Sequence, residues 1–292
     1  TRHRDKRSGN AAHCEWGRLR TNARRAVAPM GNVLGAQPVP APPAPVAPPP
    51  APPWWREIAI GDVDGASDRG PRLHSKVLHA PAMVSGADCD VLVAAANKHI
   101  VLSMSSYSDS PGRNRVPVAH LTGHAELEIL ERFLRDTVIG FLERDVPDVA
   151  RDCFGGFDSR LRHMRCVFST VEPTINRYKY GGSFAPHQDK QQLTVLLHLS
   201  PDSAFEGGGT AFWPEGRRPE DAEEREGVVV HPAQGDALFW HGDLTHAART
   251  VARGTRHVLV CSFSLYPAES KTGREPFSCM GIPGGWPRHW SL

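Results

Sequence analysis

Three residues have the types and spacing to hold a redox-active metal: His187, Asp189 and His246. His187 and Asp189 are separated by a single residue. In a strand, positions i and i+2 project to the same face, so the imidazole and the carboxylate point the same way. His246 follows 57 residues after Asp189. Two imidazoles and one carboxylate on one face of an octahedral ion leave three positions open, the pattern of non-haem iron(II) oxygenases. Those positions let a cosubstrate and dioxygen reach the metal together. The pair alone is a weak signal in a chain with 15 histidines. Arg256 sharpens it. It stands ten residues beyond His246 in HAARTVARGTRHVLVCSFSL. A turn at Ala252–Gly254 would lead into a strand bearing Arg256 beside the metal-ligand strand. There a guanidinium grips a distal carboxylate bidentately while the other end of the cosubstrate chelates the metal. The bland alternative is a surface strand residue, and the apolar run His257–Phe263 argues against it.

These residues need strands to carry them. After residue 160 the pattern is one of short strands: Met164–Val171, Phe184–Asp189, Leu193–Leu199, Thr210–Trp213, Gly227–His231, Asp236–Trp240, His246–Val251 and His257–Tyr266. Glycine-rich turns separate them, which predicts a sandwich or jelly roll. Upstream, Val77–Leu78 reads as a short strand. Ala87–Lys98 reads as a helix with Val91, Leu92 and Ala95 inward, and Leu121–Glu143 as a longer helix stopped by Asp145-Val146-Pro147. The helices carry no chemistry and are expected to support one face of a sheet.

The domain reading follows. Residues 1–36 form a basic segment without apolar periodicity. Residues 37–71 form a linker that opens on QPVPAPPAPVAPPPAPP, a run that favours polyproline II and could dock on proline-recognition modules. Residues 72–292 form the folded domain: helical support over 72–150, a jelly-roll core over about 160–267 and a tail over 268–292. The net charge of +2 gives no reason to expect nucleic acid, and the six cysteines show no C-x-x-C pair. No apolar run nears the roughly 20 residues of a bilayer span, so no membrane span is expected. The chain opens on Thr1, and the compartment stays open between cytoplasm and endoplasmic reticulum.

The run RYKYGGSFAPHQD (Arg177–Asp189) resembles the prolyl 4-hydroxylase pattern Y-x-x-G-G-x-[YF]-x-P-H-x-D. LTVLLHLS (Leu193–Ser200), EGGGTAF (Glu206–Phe212) and HPAQGDALFW (His231–Trp240) are similar to that family's T-x-L-x-Y-L-N, E-G-G-x-T-x-F and P-x-x-G-x-A-L-x-F segments, in the same order. VLHAPAMVSGADCDVLVAAA (Val77–Ala96) is similar to the segment that opens its catalytic domain. The resemblance spans about residues 73–267. It implies a mainly β fold with flanking helices, a double-stranded β-helix of jelly-roll, cupin-like type. It also implies an iron(II)- and 2-oxoglutarate-dependent dioxygenase that uses O2, releases succinate and CO2, and draws on L-ascorbate to rescue oxidised iron. The implied substrate is a prolyl or other residue of a peptide or protein. A free amino acid, a small metabolite or a nucleic acid is the first alternative, and a non-catalytic β-sandwich binding module is the second.

The resemblance carries site residues with it. His187, Asp189 and His246 take the metal-ligand positions, and Arg256 takes the position where collagen-type enzymes have lysine. Tyr178 reaches the distal carboxylate or only packs. His198 stands where the family often has tyrosine, and either bonds the cosubstrate or is a satisfied core histidine. Thr194 shares a strand face with Leu196 and His198 and is placed at the pocket wall. His231, His241 and His257 read as strand or turn histidines. Trp240 is a pocket wall or core residue, and residues 215–226 are a solvated charged loop.

Overall fold

The computed structural model describes residues 53–61, 73–102, 111–156, 160–214, 216–222 and 226–267. The basic segment, the proline run before Pro53 and the tail 268–292 lie outside the described residues. Elements follow in the order β1 (Arg56–Ala59), β2 (Lys76–Ala80), α1 (Gly86–Leu102), β3 (Arg113–Pro117), α2 (His124–Glu131), α3 (Ile139–Arg144), α4 (Pro147–Phe154), β4 (Arg165–Phe168), β5 (Thr174–Lys179) and β6 (Phe184–His187). Then come β7 (Leu193–His198), β8 (Phe205–Gly207), β9 (Thr210–Phe212), β10 (Val228–Val230), β11 (Ala237–His241), β12 (His246–Ala248) and β13 (Val251–Tyr266).

The larger sheet runs β1-β2-β11-β7-β13-β5-β3, with β4 and β8 also paired to β13. The smaller sheet runs β10-β9-β12-β6. Neighbouring strands pair antiparallel. The fold is therefore mainly β with some helices, and its two antiparallel sheets are those of a double-stranded β-helix.

The larger sheet is buried on both faces, which explains near-continuous apolar runs in its central strands. Strand alternation sorts them. Val195 and Leu197 of β7, Phe239 of β11, and Leu259, Cys261 and Phe263 of β13 join the helices in one core. Leu196, Leu238, Trp240 and Val258 face the other way, into a second core between the sheets with Tyr178 and Phe212. The functional site lies on that inner side.

Helix α1 starts at a cap: the Asp88 amide donates to Ser85 Oγ at 3.1 Å. Its inward stripe is Cys89, Leu92, Ala95 and Ala96, while Val91 is exposed. The expected long helix begins at His124 and passes through a π-helical stretch, Arg132–Val138, into α3. The pairs Phe133/Val138 and Leu134/Ile139 are five residues apart. The wider π turn keeps all four in the core. Pro147 both closes the preceding segment and opens α4 at its first turn, where a missing N–H costs nothing.

Three boundaries differ from expectation. The domain does not begin at residue 72: β1 lies within the expected linker and pairs with β2 from Arg56↔His79 to Ala59↔Lys76. Residues 72–150 are not purely helical support: β2, which contains the expected strand Val77–Leu78, and the unexpected β3 both belong to the larger sheet, β3 at one edge. Ala252–Gly254 is not a turn but part of the 16-residue β13. Gly254 holds a φ of +78° there, with Ala204 O at 2.1 Å from where a Cβ would stand, so the strand bends at a residue without a side chain.

Candidate metal centre

β6 ends at His187, and Asp189 follows just beyond the strand. The alternation argument therefore does not by itself place Asp189. Its amide does, by donating to Gly242 O at 2.8 Å. A Cβ on Gly242 would stand 1.8 Å from Gln191 O, so this close approach requires glycine. β12 pairs with β6 so that His246 lies opposite His187. The two imidazole centroids are 4.2 Å apart. His187 Nε2 lies 3.8 Å from Asp189 Oδ1, and His246 Nε2 lies 3.4 Å from Asp189 Oδ2. One ligand atom from each of the three residues falls within a 4.8 Å group.

Both imidazoles are oriented the same way. Nδ1 of His187 bonds Ala185 O at 2.9 Å, and Nδ1 of His246 bonds Leu244 O at 2.9 Å. A backbone carbonyl accepts only from a protonated nitrogen, so Nε2 keeps its lone pair for the centre. Burial, and then the neighbouring His246, push the His187 imidazolium down, which keeps the ring neutral at pH 7. Thr194 Oγ1 donates to Asp189 Oδ2 at 2.5 Å. Thr194 thus orients the carboxylate and is absent from the cavity wall where it was expected.

The cavity beside these residues lies between the sheets. Arg256 of β13 lines it and is fully buried. Its register partner Tyr178 on β5 lines it too, with the guanidinium carbon 5.8 Å from the ring centroid. Nε of Arg256 donates to His198 Nε2 at 3.4 Å, and Nη2 donates to Thr210 Oγ1 at 3.1 Å. Its Nη1 has no partner among the described residues. Burial pulls the guanidinium down to about 10, still cationic at neutral pH. A buried cation with an idle donor suits a carboxylate, which would restore the attraction that desolvation removed. His198 is a buried neutral base, pushed down to about 3 by burial and then by Arg256. It supports the guanidinium and does not line the cavity.

The donor set fits a divalent transition metal. The cation deeper in the same cavity fits the far carboxylate of a dicarboxylate chelated at that metal. Trp240 also lines the cavity, 4.8 Å from the His246 ring by centroids.

Sequence reasoning missed Arg113, Arg115, Glu172 and Asn176, which share this wall. The register Arg113↔Tyr178 and Arg115↔Asn176 puts the two arginines on the inner face of β3. Arg113 stacks 3.5 Å over the Phe184 ring. Glu172 accepts from the Ser262 amide at 2.5 Å and lies 3.9 Å from Arg115. Burial, and then the Asp189 charge, push its carboxyl up to about 7. No sequence signal marked these wall residues, since RNRVP and TINRYK hold too few apolar residues to show a strand's alternation, and only the register assigns their faces.

Among curated proteins, no sequence matches this chain. Its fold resembles solved structures at low identity. A 2OG-Fe(II) oxygenase family oxidoreductase from Burkholderia pseudomallei is 20% identical with a TM-score of 0.42, covering 65% of this chain and 85% of its own. A Pseudomonas putida prolyl-4-hydroxylase is 12% identical with a TM-score of 0.41, covering 64% and 91%. The non-haem α-ketoglutarate-dependent epimerase SnoN from nogalamycin biosynthesis is 15% identical with a TM-score of 0.42, covering 68% and 87%. Residues 173–264, which hold His187, Asp189, His246 and Arg256, match the model of the 2OG-Fe(II) oxygenase superfamily.

Proposed function

We propose that this chain is an iron(II)- and 2-oxoglutarate-dependent dioxygenase that hydroxylates a C–H bond, in the manner of prolyl 4-hydroxylases. The observation that carries the reading is the buried Arg256, with its unpartnered Nη1, in the cavity of the His187–Asp189–His246 group. Bound iron(II) and 2-oxoglutarate supply dioxygen activation, with succinate and CO2 as coproducts. L-Ascorbate serves as the reductant that restores oxidised iron.

The residues divide the work. His187, Asp189 and His246 would hold the metal, with Nε2 of each imidazole and the Asp189 carboxylate as its ligand atoms. Arg256 would anchor the far carboxylate of the cosubstrate and so orient it in the cavity. Tyr178 packs beside that anchor. His198 and Thr210 fix the guanidinium plane, and Trp240, Phe212 and Leu196 keep bulk water from the cavity.

The substrate is a prolyl or other residue of a peptide. Arg113 and Glu172 in the wall favour a second reading, a small charged metabolite such as a free amino acid. Its carboxylate would meet Arg113 and its ammonium Glu172. An anaerobic titration with iron(II) and 2-oxoglutarate tests the core of the proposal. A weak visible metal-to-ligand band that requires both components is expected. Its absence leaves a metal-binding jelly roll. Succinate release over a panel of prolyl peptides and free amino acids separates the two substrate readings.

A further inference from the structure

A second cluster of ligating side chains lies outside this centre: His74, His241 and Asp243, with one possible ligand atom from each falling within 4.8 Å of the others. The sheet brings them together. β11 and β2 pair antiparallel with Phe239↔Leu78. Continuing that register beyond the strand ends sets His241 and Asp243 alongside the segment that carries His74. The imidazoles of His74 and His241 meet with centroids 4.2 Å apart. His241 Nδ1 lies 3.7 Å from Asp243 Oδ2. His241 follows Trp240 in β11, so strand alternation turns it away from the cavity that Trp240 lines. The cluster therefore belongs to the opposite face of the sheet.

We propose that His74, His241 and Asp243 form a second divalent-metal site, of the kind that takes zinc(II), which braces the loop behind the first centre. Two imidazoles and a carboxylate suit zinc, with water in the fourth position. Tetrahedral bonds of about 2.0–2.1 Å put ligand atoms about 3.3 Å apart. The 3.7 Å contact between His241 Nδ1 and Asp243 Oδ2 is close to that, and the exposed Asp243 has room to swing in. The 3.3 Å bond that His241 Nδ1 accepts from the Asp243 amide is long, and a bound ion takes over that lone pair.

The loop explains what such an ion would do. Gly242 O receives the Asp189 amide, and Leu244 O receives His246 Nδ1. The Leu244 amide in turn donates to His241 O at 2.9 Å. One short segment thus positions two residues of the first centre, and within this cluster the contact with His74 ties it to the stretch leading into β2. An ion shared by His74, His241 and Asp243 pins the segment to that stretch. The site needs no assumption about what the first centre binds.

The test is zinc(II) stoichiometry on the full chain by equilibrium dialysis, comparing wild type with His74→Ala and Asp243→Ala. Asp243 is exposed, so its replacement leaves the fold intact, which circular dichroism checks. The expected result is one equivalent fewer in each variant than in wild type. Unchanged stoichiometry in both variants overturns the site, whatever the total. Because only the difference is read, zinc held at His187, Asp189 and His246, or its absence there, does not alter the outcome. Amide exchange of residues 241–246 under saturating zinc tests the brace. Slower exchange in wild type than in Asp243→Ala is expected, and equal rates overturn it.

Discussion

Thr194 Oγ1 donates to Asp189 Oδ2 across 2.5 Å and also lies 3.1 Å from Ser262 Oγ, so a buried threonine on β7 fixes the carboxylate that β6 does not reach. Such outer partners set ligand orientation and basicity. Thr194→Val keeps the shape and removes the donor. Divalent-metal affinity is expected to fall roughly 10–100-fold, with Thr194→Ser restoring most of it. Anaerobic cobalt(II) titration followed by its visible bands measures this. Wild-type affinity in Thr194→Val would show that Asp189 needs no such support.

Arg256 is the group that would make a metal site a 2-oxoglutarate site. Arg256→Ala is expected to weaken cosubstrate binding by about 2–5 kcal/mol, because a buried carboxylate loses its partner. Arg256→Lys keeps the charge, loses the planar fork and should retain partial activity. The measurement is the KM for 2-oxoglutarate in both variants. An unchanged KM in Arg256→Ala would remove the guanidinium from the cosubstrate and leave the metal group without an assigned role.

The centre was legible because its residues have few other uses in that pattern. An H-x-D pair, a distant histidine and an arginine ten residues on could be read without a structure. The other wall was not legible. β3 and β5 place Arg113, Arg115 and Asn176 inward, beside the Tyr178 that the motif had already marked. A strand that lines a polar cavity loses the apolar alternation by which strands are recognised. Thr194 was placed on the correct strand face, but only the structure shows that this face reaches Asp189. His241 read as an ordinary strand histidine because its companion, His74, is brought close by pairing and not by sequence distance.

β1 revises where the domain can be cut. Trp54 and Trp55 meet the Phe141 ring edge-on at centroid distances of 5.4 and 6.2 Å, and Ile60 is buried. A chain starting at residue 72 loses these contacts and uncovers the edge of β2, whose backbone pairs with β1. Losing the burial of Ile60 costs about 1.5–3 kcal/mol, and the half-buried Trp55 and the more exposed Trp54 add less. Thermal melts should show a clear drop in Tm for that chain and little change for one starting at residue 51. Equal Tm values would make β1 an ornament of the sheet edge.

His257 contributes to the acid sensitivity of the fold. It is buried on β13. Nε2 lies 3.2 Å from Asn97 Oδ1, and Nδ1 lies 3.3 Å from Ser200 Oγ. One nitrogen donates and the other accepts, which is the neutral ring. Burial, and then Arg177, push its pKa down to about 4 from the ordinary 6.5. Between these values the unfolded chain takes up a proton that the folded chain refuses. Stability from this residue is therefore complete above pH 6.5, falls as pH drops, and is gone below about 4, for a total of about 3 kcal/mol. Glu172 acts in the opposite sense, since a carboxyl raised to about 7 loses stability as pH rises from 4.5. The raw pH profile mixes these with the buried His187 and His198, which act in the same sense as His257, so the comparison must be between wild type and His257→Gln, both treated with chelator. Glu172 cancels in that difference. Urea melts from pH 4.5 to 6 should show that the slope of stability against pH is lower in His257→Gln than in wild type, by about 1 kcal/mol per pH unit. Parallel slopes would show that His257 takes its proton as readily in the folded chain as in the unfolded one.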